Sequence, residues 1–386
     1  MLFVNMVLWT RTDILFSCLI QLFAYQIGDI DLTQMPIFSD STQRRHWMFT
    51  RSELAQKRLD ARLQYDKERA LHNEEEPVDG YLSRTEQDLL LYYYQRRISD
   101  FAAAFSLPIS VQGTAMVYFK RFYLNRTVMD EDPRLISISS LLLATKSEEA
   151  HIRVGDLARS TQVSIEILLE FEQILLEGID FHLKVHIPFR AMHGFINELP
   201  NLTKSETRAV LVQAETQAMH AIYTDAIFLY TPSQIALVCV QRSAKVLRLK
   251  SFSEWFTRTF SSHADYVKLL EVMKDIDEMI ENILSRSIPN DTEIWARLKH
   301  KRDQCKNCIR DPTSIIAKQH KEKMEQERED RRLKKHLDAS SRSNSFLDSL
   351  TTNSDVIKDR GEKEDEFILK KNLTKRRRTE NNISSD

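Results

Sequence analysis

The chain has 386 residues, enough for two or three domains, with 55 basic side chains nearly balanced by 56 acidic ones, which argues against a general polyanion binder. Only 7 glycines and 9 prolines occur, and no two glycines lie within fifteen residues of each other. That spacing excludes phosphate-cradling glycine loops and favours an all-helical chain. Four cysteines, at 18, 239, 305 and 308, are too few for a disulfide framework at this length and fit a reducing compartment.

At the N-terminus, residues 1–34 are apolar, but Arg11 and Asp13 leave 14–28 as the longest uncharged run. About twenty apolar residues are needed to span a bilayer. The run is short for a span, with a signal-anchor as the alternative, and 1–38 is read as an extension. Within 39–82, Thr50-Arg-Ser-Glu53 is a capping box that opens a charged helix to about Leu71. Its apolar stripe is thin (Leu54, Ala61, Tyr65), so it is expected to lie across another surface. The acidic segment His72–Gly80 reads as a loop.

A second capping box, Ser83-Arg-Thr-Glu86, opens a helix to Phe105, followed by helices over about 110–125, 133–148, 154–162 and 165–178. In the second of these, Val111, Ala115, Tyr118 and Phe122 recur at steps of three and four, flanked by Met116, Phe119 and Tyr123. Such a helix is apolar around most of its circumference and belongs in the middle of a bundle. The third begins at Asp132-Pro133, an acidic cap before proline, runs through Leu141–Ala144 and ends in a charged tip, Lys146, Glu148 and Glu149. Gly178 is placed to end the fifth by a left-handed turn. Phe101, Phe105, Phe119, Phe122, Leu142, Leu168, Phe171 and Leu175 are the expected core.

Pro188 starts a helix that Pro200 ends, and Thr203-Lys-Ser-Glu206 opens a long one to Tyr223, which puts the boundary between two bundles, 83–200 and 201–288, at Pro200–Thr203. Thr231-Pro232 repeats the start at Asp132-Pro133 about a hundred residues later and suggests duplication. Further helices are expected over 233–247, 252–259 and 264–285. In 289–338, a helix with Ile294, Trp295, Leu298 and Cys305 on one side leads into a segment, Lys318–Asp338, with eight basic and six acidic residues. A helix there would be held by intrahelical ion pairs. Composition predicts disorder for 339–386.

No catalytic constellation is present. Glu148, Glu149 and His151 read as a solvated helix end, and Cys305-Lys-Asn-Cys308 has half the ligands of a structural zinc site and a spacing that suits one helix face. No cofactor is expected. The protein should act by binding.

The aromatic helix ending Arg121-Phe122-Tyr123-Leu124, followed by the apolar helix ending Ala144-Thr145-Lys146-Ser147-Glu148-Glu149, resembles a cyclin box. Gln43-Arg44-Arg45-His46-Trp47, Phe181-His182-Leu183-Lys184-Val185-His186 and the string Tyr230-Thr231-Pro232-Ser233-Gln234-Ile235-Ala236-Leu237 extend the resemblance to the cyclin family over about Ser39 to Ile309. The resemblance implies an all-α protein of two tandem five-helix cyclin folds with N- and C-terminal helical extensions and a disordered tail. It also implies a non-catalytic subunit, without direct nucleic-acid or membrane partners, that binds a cyclin-dependent kinase. Within the family it points to the CDK-activating kinase, a third assembly subunit and core transcription factor IIH.

In this family a lysine ending the third helix, a glutamate within the fifth and a Phe-x-Leu after it reach the kinase, which here implies Lys146, Glu172, Phe181 and Leu183. The structural alternative is that Lys146 and Glu172 pair with each other. Where cell-cycle cyclins carry a substrate-docking Met-Arg-Ala-Ile-Leu, this chain has Tyr94-Gln95-Arg96-Arg97-Ile98, so that groove is expected to be missing. A cyclin C-like subunit of another complex shares Tyr118–Tyr123 but would lack the Arg-Arg-His-Trp and Tyr-Thr-Pro-Ser-Gln strings. A DNA-binding tandem fold like transcription factor IIB would open with a zinc ribbon, for which Cys18 is the only cysteine before Cys239. In the tail, Lys375-Arg376-Arg377-Arg378 is a candidate nuclear-localisation run and Thr379 a candidate phosphosite beside it.

Overall fold

The computed structural model describes residues 38–71, 80–286 and 292–307, with residues 77 and 310 and short stretches between 318 and 337. The extension 1–37, Cys308, the basic run 375–378 and Thr379 lie outside the described residues, as does the tail 339–386. Two compact units divide the chain at Ser314/Ile315. In the second, the described helical positions include a pair of the expected intrahelical kind, Arg331 to Glu327 at 3.6 Å.

The first unit is all helix among its described residues. A short α1 (Thr42–His46) and the long α2 (Arg51–Leu71) precede a bundle of five: α3 (Arg84–Ala104), α4 (Ile109–Asn125), α5 (Pro133–Ser147), α6 (Val154–Thr161) and α7 (Ile165–Gly178). There follow α8 (Phe189–Glu198), α9 (Lys204–Tyr223), the single turn α10 (Ala226–Leu229), α11 (Pro232–Val246), α12 (Ser251–Phe260), α13 (Tyr266–Leu284) and α14 (Thr292–Gln304). The capping boxes form as the sequence requires: Ser83, Thr203 and Thr231 each accept the backbone N–H three residues on, and Glu86, Glu206 and Gln234 reach back. Asp132 caps α5 with Pro133 at its first position.

The helix α4 is the axis of the first bundle, buried from Gly113 to Leu124 and packed on α2, α3, α5, α7 and α9. Its last contact joins the two bundles. There the fully enclosed Lys120 ammonium donates to the carbonyls of Ile222 (2.9 Å), Tyr223 (3.3 Å) and Thr224, the open C-terminal end of α9. Burial pushes this lysine down to about 8, countered by nearby Asp225. The second bundle repeats the first, with α9 and α11 in the places of α4 and α5. The helix α8, expected with the first bundle, packs instead on α9 and α11, so the second begins at Phe189 rather than after Pro200.

The helix α2 lies across both bundles, as its thin stripe implies. Leu54, Ala61 and Tyr65 are buried, Arg58 forms a two-bond pair with Asp225 at 2.7 and 2.8 Å, and Arg51 pairs with Asp275 at 2.5 Å. The Tyr65 hydroxyl donates to the Cys305 carbonyl at 2.7 Å, which ties the end of α14 to α2. Asn307 and Arg310 continue the clasp onto Glu68.

Three further expectations need correction. The helix α14 stops at Gln304, so Cys305 sits buried in a turn and not on the helix face expected for the Cys-x-x-Cys pair. Phe101 and Phe105 are only half-buried and line a small second core under α6; the other six expected core residues are buried. Gly178 remains helical, and the left-handed residues are Asp180 (φ 53°) and Phe181 (φ 57°). Glycine is needed at 178 for space, since a Cβ there would run into the Phe122 ring.

Candidate functional site

The structure brings the four expected residues to the end of the first bundle where α5 and α7 finish. The Lys146 ammonium, in the last turn of α5, donates to both Glu172 carboxylate oxygens at 2.6 and 2.8 Å. The pairing anticipated as the structural alternative therefore exists. It is lopsided: the Lys146 side chain is 47% exposed and that of Glu172 only 11%. The carboxylate is a socket that holds the ammonium at the surface.

Phe181 is 64% exposed and Leu183 37%. The chain leaves α7 through N–H bonds from Asp180 to Glu177 and from Phe181 to Leu176, and the consecutive left-handed residues aim the Phe181 ring outward. A left-handed L-residue costs about 1–2 kcal/mol, and a bulky one is an outlier that points to function. Along α7, Ile165 and Leu169 are also exposed, and steps of four and three place them on the side of the helix that carries Glu172. The surface thus combines apolar area with the Lys146 ammonium.

The strap 181–186 that presents Phe181 and Leu183 is held from beneath by residues that sequence reading left without roles. The Tyr118 hydroxyl donates to the Leu183 carbonyl. Buried Arg121 donates to the His182 carbonyl at 2.8 Å and to the Gln43 side chain at 3.3 Å, with its guanidinium 4.9 Å from the centre of the Trp47 ring. Gln43 forms a two-way amide pairing with the His186 backbone, accepting at 2.7 Å and donating at 3.1 Å. The Trp47 indole N–H donates to His182 Nδ1, and His46 stacks on the His182 ring at 4.8 Å. Burial holds His186 neutral down to about 4, reinforced by Lys184, Arg190 and Arg121; burial, then His46, lowers His182 as well. A buried arginine inside the apolar α4 was the available signal for this support.

Glu148 is not merely a solvated tip, because Thr114 donates to it at 2.7 Å and fastens the end of α5 to α4. Among the described residues no His/Cys/Asp/Glu cluster could hold a metal ion, and no helix is long and apolar enough to cross a membrane.

Two tandem helical bundles define the class of fold, and comparison with known families places it. The Cyclin, N-terminal domain family matches residues 79–184 and the Cyclin C-terminal domain family 187–281, and the chain belongs to the cyclin family. Within that family its relatives include the cyclin-H proteins: it is 31% identical to cyclin-H of Xenopus laevis over 283 residues, covering 70% of this chain and 87% of the frog protein. Among solved structures it resembles a chain of the CAK complex of Chaetomium thermophilum bound to ATP-gamma-S, with TM-score 0.64, 23% identity and coverage of 75% and 94%. It also resembles a chain of the yeast TFIIK complex (Kin28/Ccl1/Tfb3), with TM-score 0.53, 26% identity and coverage of 63% and 100%.

Proposed function

We propose that this chain is the non-catalytic cyclin subunit of a CDK-activating kinase, acting in the nucleus with a third assembly subunit and within transcription factor IIH. The observation that carries the reading is the face formed by Lys146, Glu172, Phe181 and Leu183. An exposed phenylalanine held outward by a left-handed turn and a socketed ammonium at the end of the same bundle suit a partner with an apolar helix and an acidic group. Kinship with cyclin-H and likeness to the CAK and three-protein TFIIK assemblies support the choice of partner.

The mechanism is a population shift. An isolated kinase of this class holds its regulatory helix turned away, so the glutamate on that helix cannot pair with the lysine that positions ATP phosphates. A subunit that binds only the inward state shifts the equilibrium by its differential affinity for the two states. Phe181 and Leu183 would cover the apolar side of the regulatory helix, while Lys146, kept in register by Glu172, would meet its polar side. All chemistry stays on the kinase.

Mixing the purified full chain with the catalytic subunit of the CDK-activating kinase should raise phosphorylation of a cyclin-dependent kinase activation loop and of a polymerase II C-terminal-domain peptide well above that of either protein alone. Unchanged kinase activity across a titration to saturation would refute the reading.

A further inference from the structure

A cleft of about 360 Å³ opens between the two bundles, on a different set of residues from the proposed kinase face. Its walls come from α3 of the first bundle and from α9 and the end of α13 of the second. Arg96, His220 and Arg286 line it, and no acidic residue does. Neighbouring arginines are neutralised, Arg97 by Asp100 and Arg242 by Asp277 and Glu281. Arg96 and Arg286 form no ion pair with a described residue. Arg286 lies 5.5 Å from the centre of the Tyr92 ring, and the acid that feels its charge, Asp88, also feels Arg58 and Arg84. The His220 Nδ1 is buried without a hydrogen-bond partner.

Two guanidinium groups around one water-accessible hollow repel one another unless an anion joins them, and burial, then the arginines beside it, favour the neutral form of His220. Guanidinium forks match the oxygens of a phosphate monoester in charge and geometry. The hollow also has an apolar side in Met219 and Ile283, suited to the methyl and backbone of a peptide rather than to a bare ion. One isolated pocket on a chain of net charge −1 does not suit a nucleic-acid backbone, which needs a track of cations.

We propose that the cleft between α3, α9 and α13 is a docking site for a phosphorylated serine or threonine side chain of a protein, clamped by Arg96 and Arg286 from the two bundles with His220 between them. The segment Tyr94–Ile98, which lacks the docking sequence of cell-cycle cyclins, thus contributes an arginine to a recognition site of different chemistry.

The test is fluorescence anisotropy of the full chain with a labelled, degenerate dodecapeptide pool bearing one central phosphothreonine. Parallel pools carry threonine or glutamate at that position, and inorganic phosphate serves as competitor. The phosphothreonine pool should bind, and Arg96→Gln and Arg286→Gln should each weaken it at least tenfold without changing the melting temperature, since one side chain is exposed and the other half-exposed. Affinity for the kinase subunit should be unaffected. No binding of the phosphothreonine pool, equal binding of the threonine or glutamate pools, or binding indifferent to both variants would overturn the proposal. Displacement by inorganic phosphate at the concentration of the peptide itself would overturn it too, by making the cleft a free-ion site.

Discussion

Gly178→Ala isolates one contact on which both the first bundle and its outward face depend. Alanine is the better helix former by about 1 kcal/mol, so on propensity alone the change should stabilise the last turn of α7. A Cβ at 178, however, would overlap two atoms of the Phe122 ring and touch a third at 3.5 Å. The ring cannot turn aside: it is fully buried in α4 and stands edge-on to Tyr123 at 5.1 Å. Overpacking of a rigid core costs about 1–3 kcal/mol, and with two ring atoms involved the upper part of that range applies, leaving a net loss of about 1–2 kcal/mol. Urea denaturation of the full chain would show this as a lower midpoint at unchanged slope. Phe122→Ala alone should cost about 3–5 kcal/mol through its cavity. In that background Gly178→Ala should become neutral or stabilising, because the new methyl group fills part of the cavity, and the difference between backgrounds is the coupling. A Gly178→Ala protein as stable as the parent, or more so, would refute the close-approach role assigned to this glycine.

Phe181→Asn should separate stability from binding: asparagine tolerates the left-handed backbone, so the free chain should melt no lower than the parent, while affinity for the kinase falls by tenfold or more; a simultaneous fall in both would make Phe181 a structural residue. For pH, His186 is neutral in the fold down to about 4 but titrates near 6.5 when unfolded, so between those values the unfolded chain binds more protons. Its contribution, complete above about pH 6.5, is lost as pH falls toward 4. The drop in melting temperature between pH 7 and pH 5 should be smaller in His186→Gln than in the parent, and an equal drop would contradict the assignment. Replacing Lys375–Arg378 with alanines should reduce nuclear accumulation of a fluorescent fusion and leave kinase activation in vitro intact; undiminished nuclear signal would mean that import rides on the partner.

Much of this architecture was legible because helices announce themselves through local rules. Capping boxes at Thr50, Ser83 and Thr203 and the proline starts at 133 and 232 mark boundaries by backbone chemistry that needs no tertiary contact. The enclosed position of α4 followed from apolar residues on every side of the helix. Long-range geometry was not legible in the same way. The assignment of α8 to the second bundle depends on which neighbours it packs against, and the prolines at both its ends mark its limits without indicating its allegiance. Gly178 was misread because a glycine at a helix end fits two physical causes, backbone freedom or lack of space, and the sequence does not hold Phe122 up against it. The seat of the 181–186 strap depends on Gln43 and Arg121, 78 residues apart, and the charge of Arg96 gains meaning only when α9 and α13 bring His220 and Arg286 beside it.

Binding of the kinase by the face that carries Lys146 and Glu172 is tested most directly by exchanging the two charges. In the double variant Lys146→Glu/Glu172→Lys the internal pair can re-form, so the free chain should melt close to the parent, whereas a partner now meets the wrong sign. Reversing desolvated interface charges costs about 2–5 kcal/mol, or roughly a thirtyfold or greater rise in Kd measured by calorimetric titration of the kinase catalytic subunit. That rise, with an unchanged melting temperature, is the predicted result. A Kd equal to the parent's would contradict the claim and reduce Lys146–Glu172 to a pair that serves only its own fold.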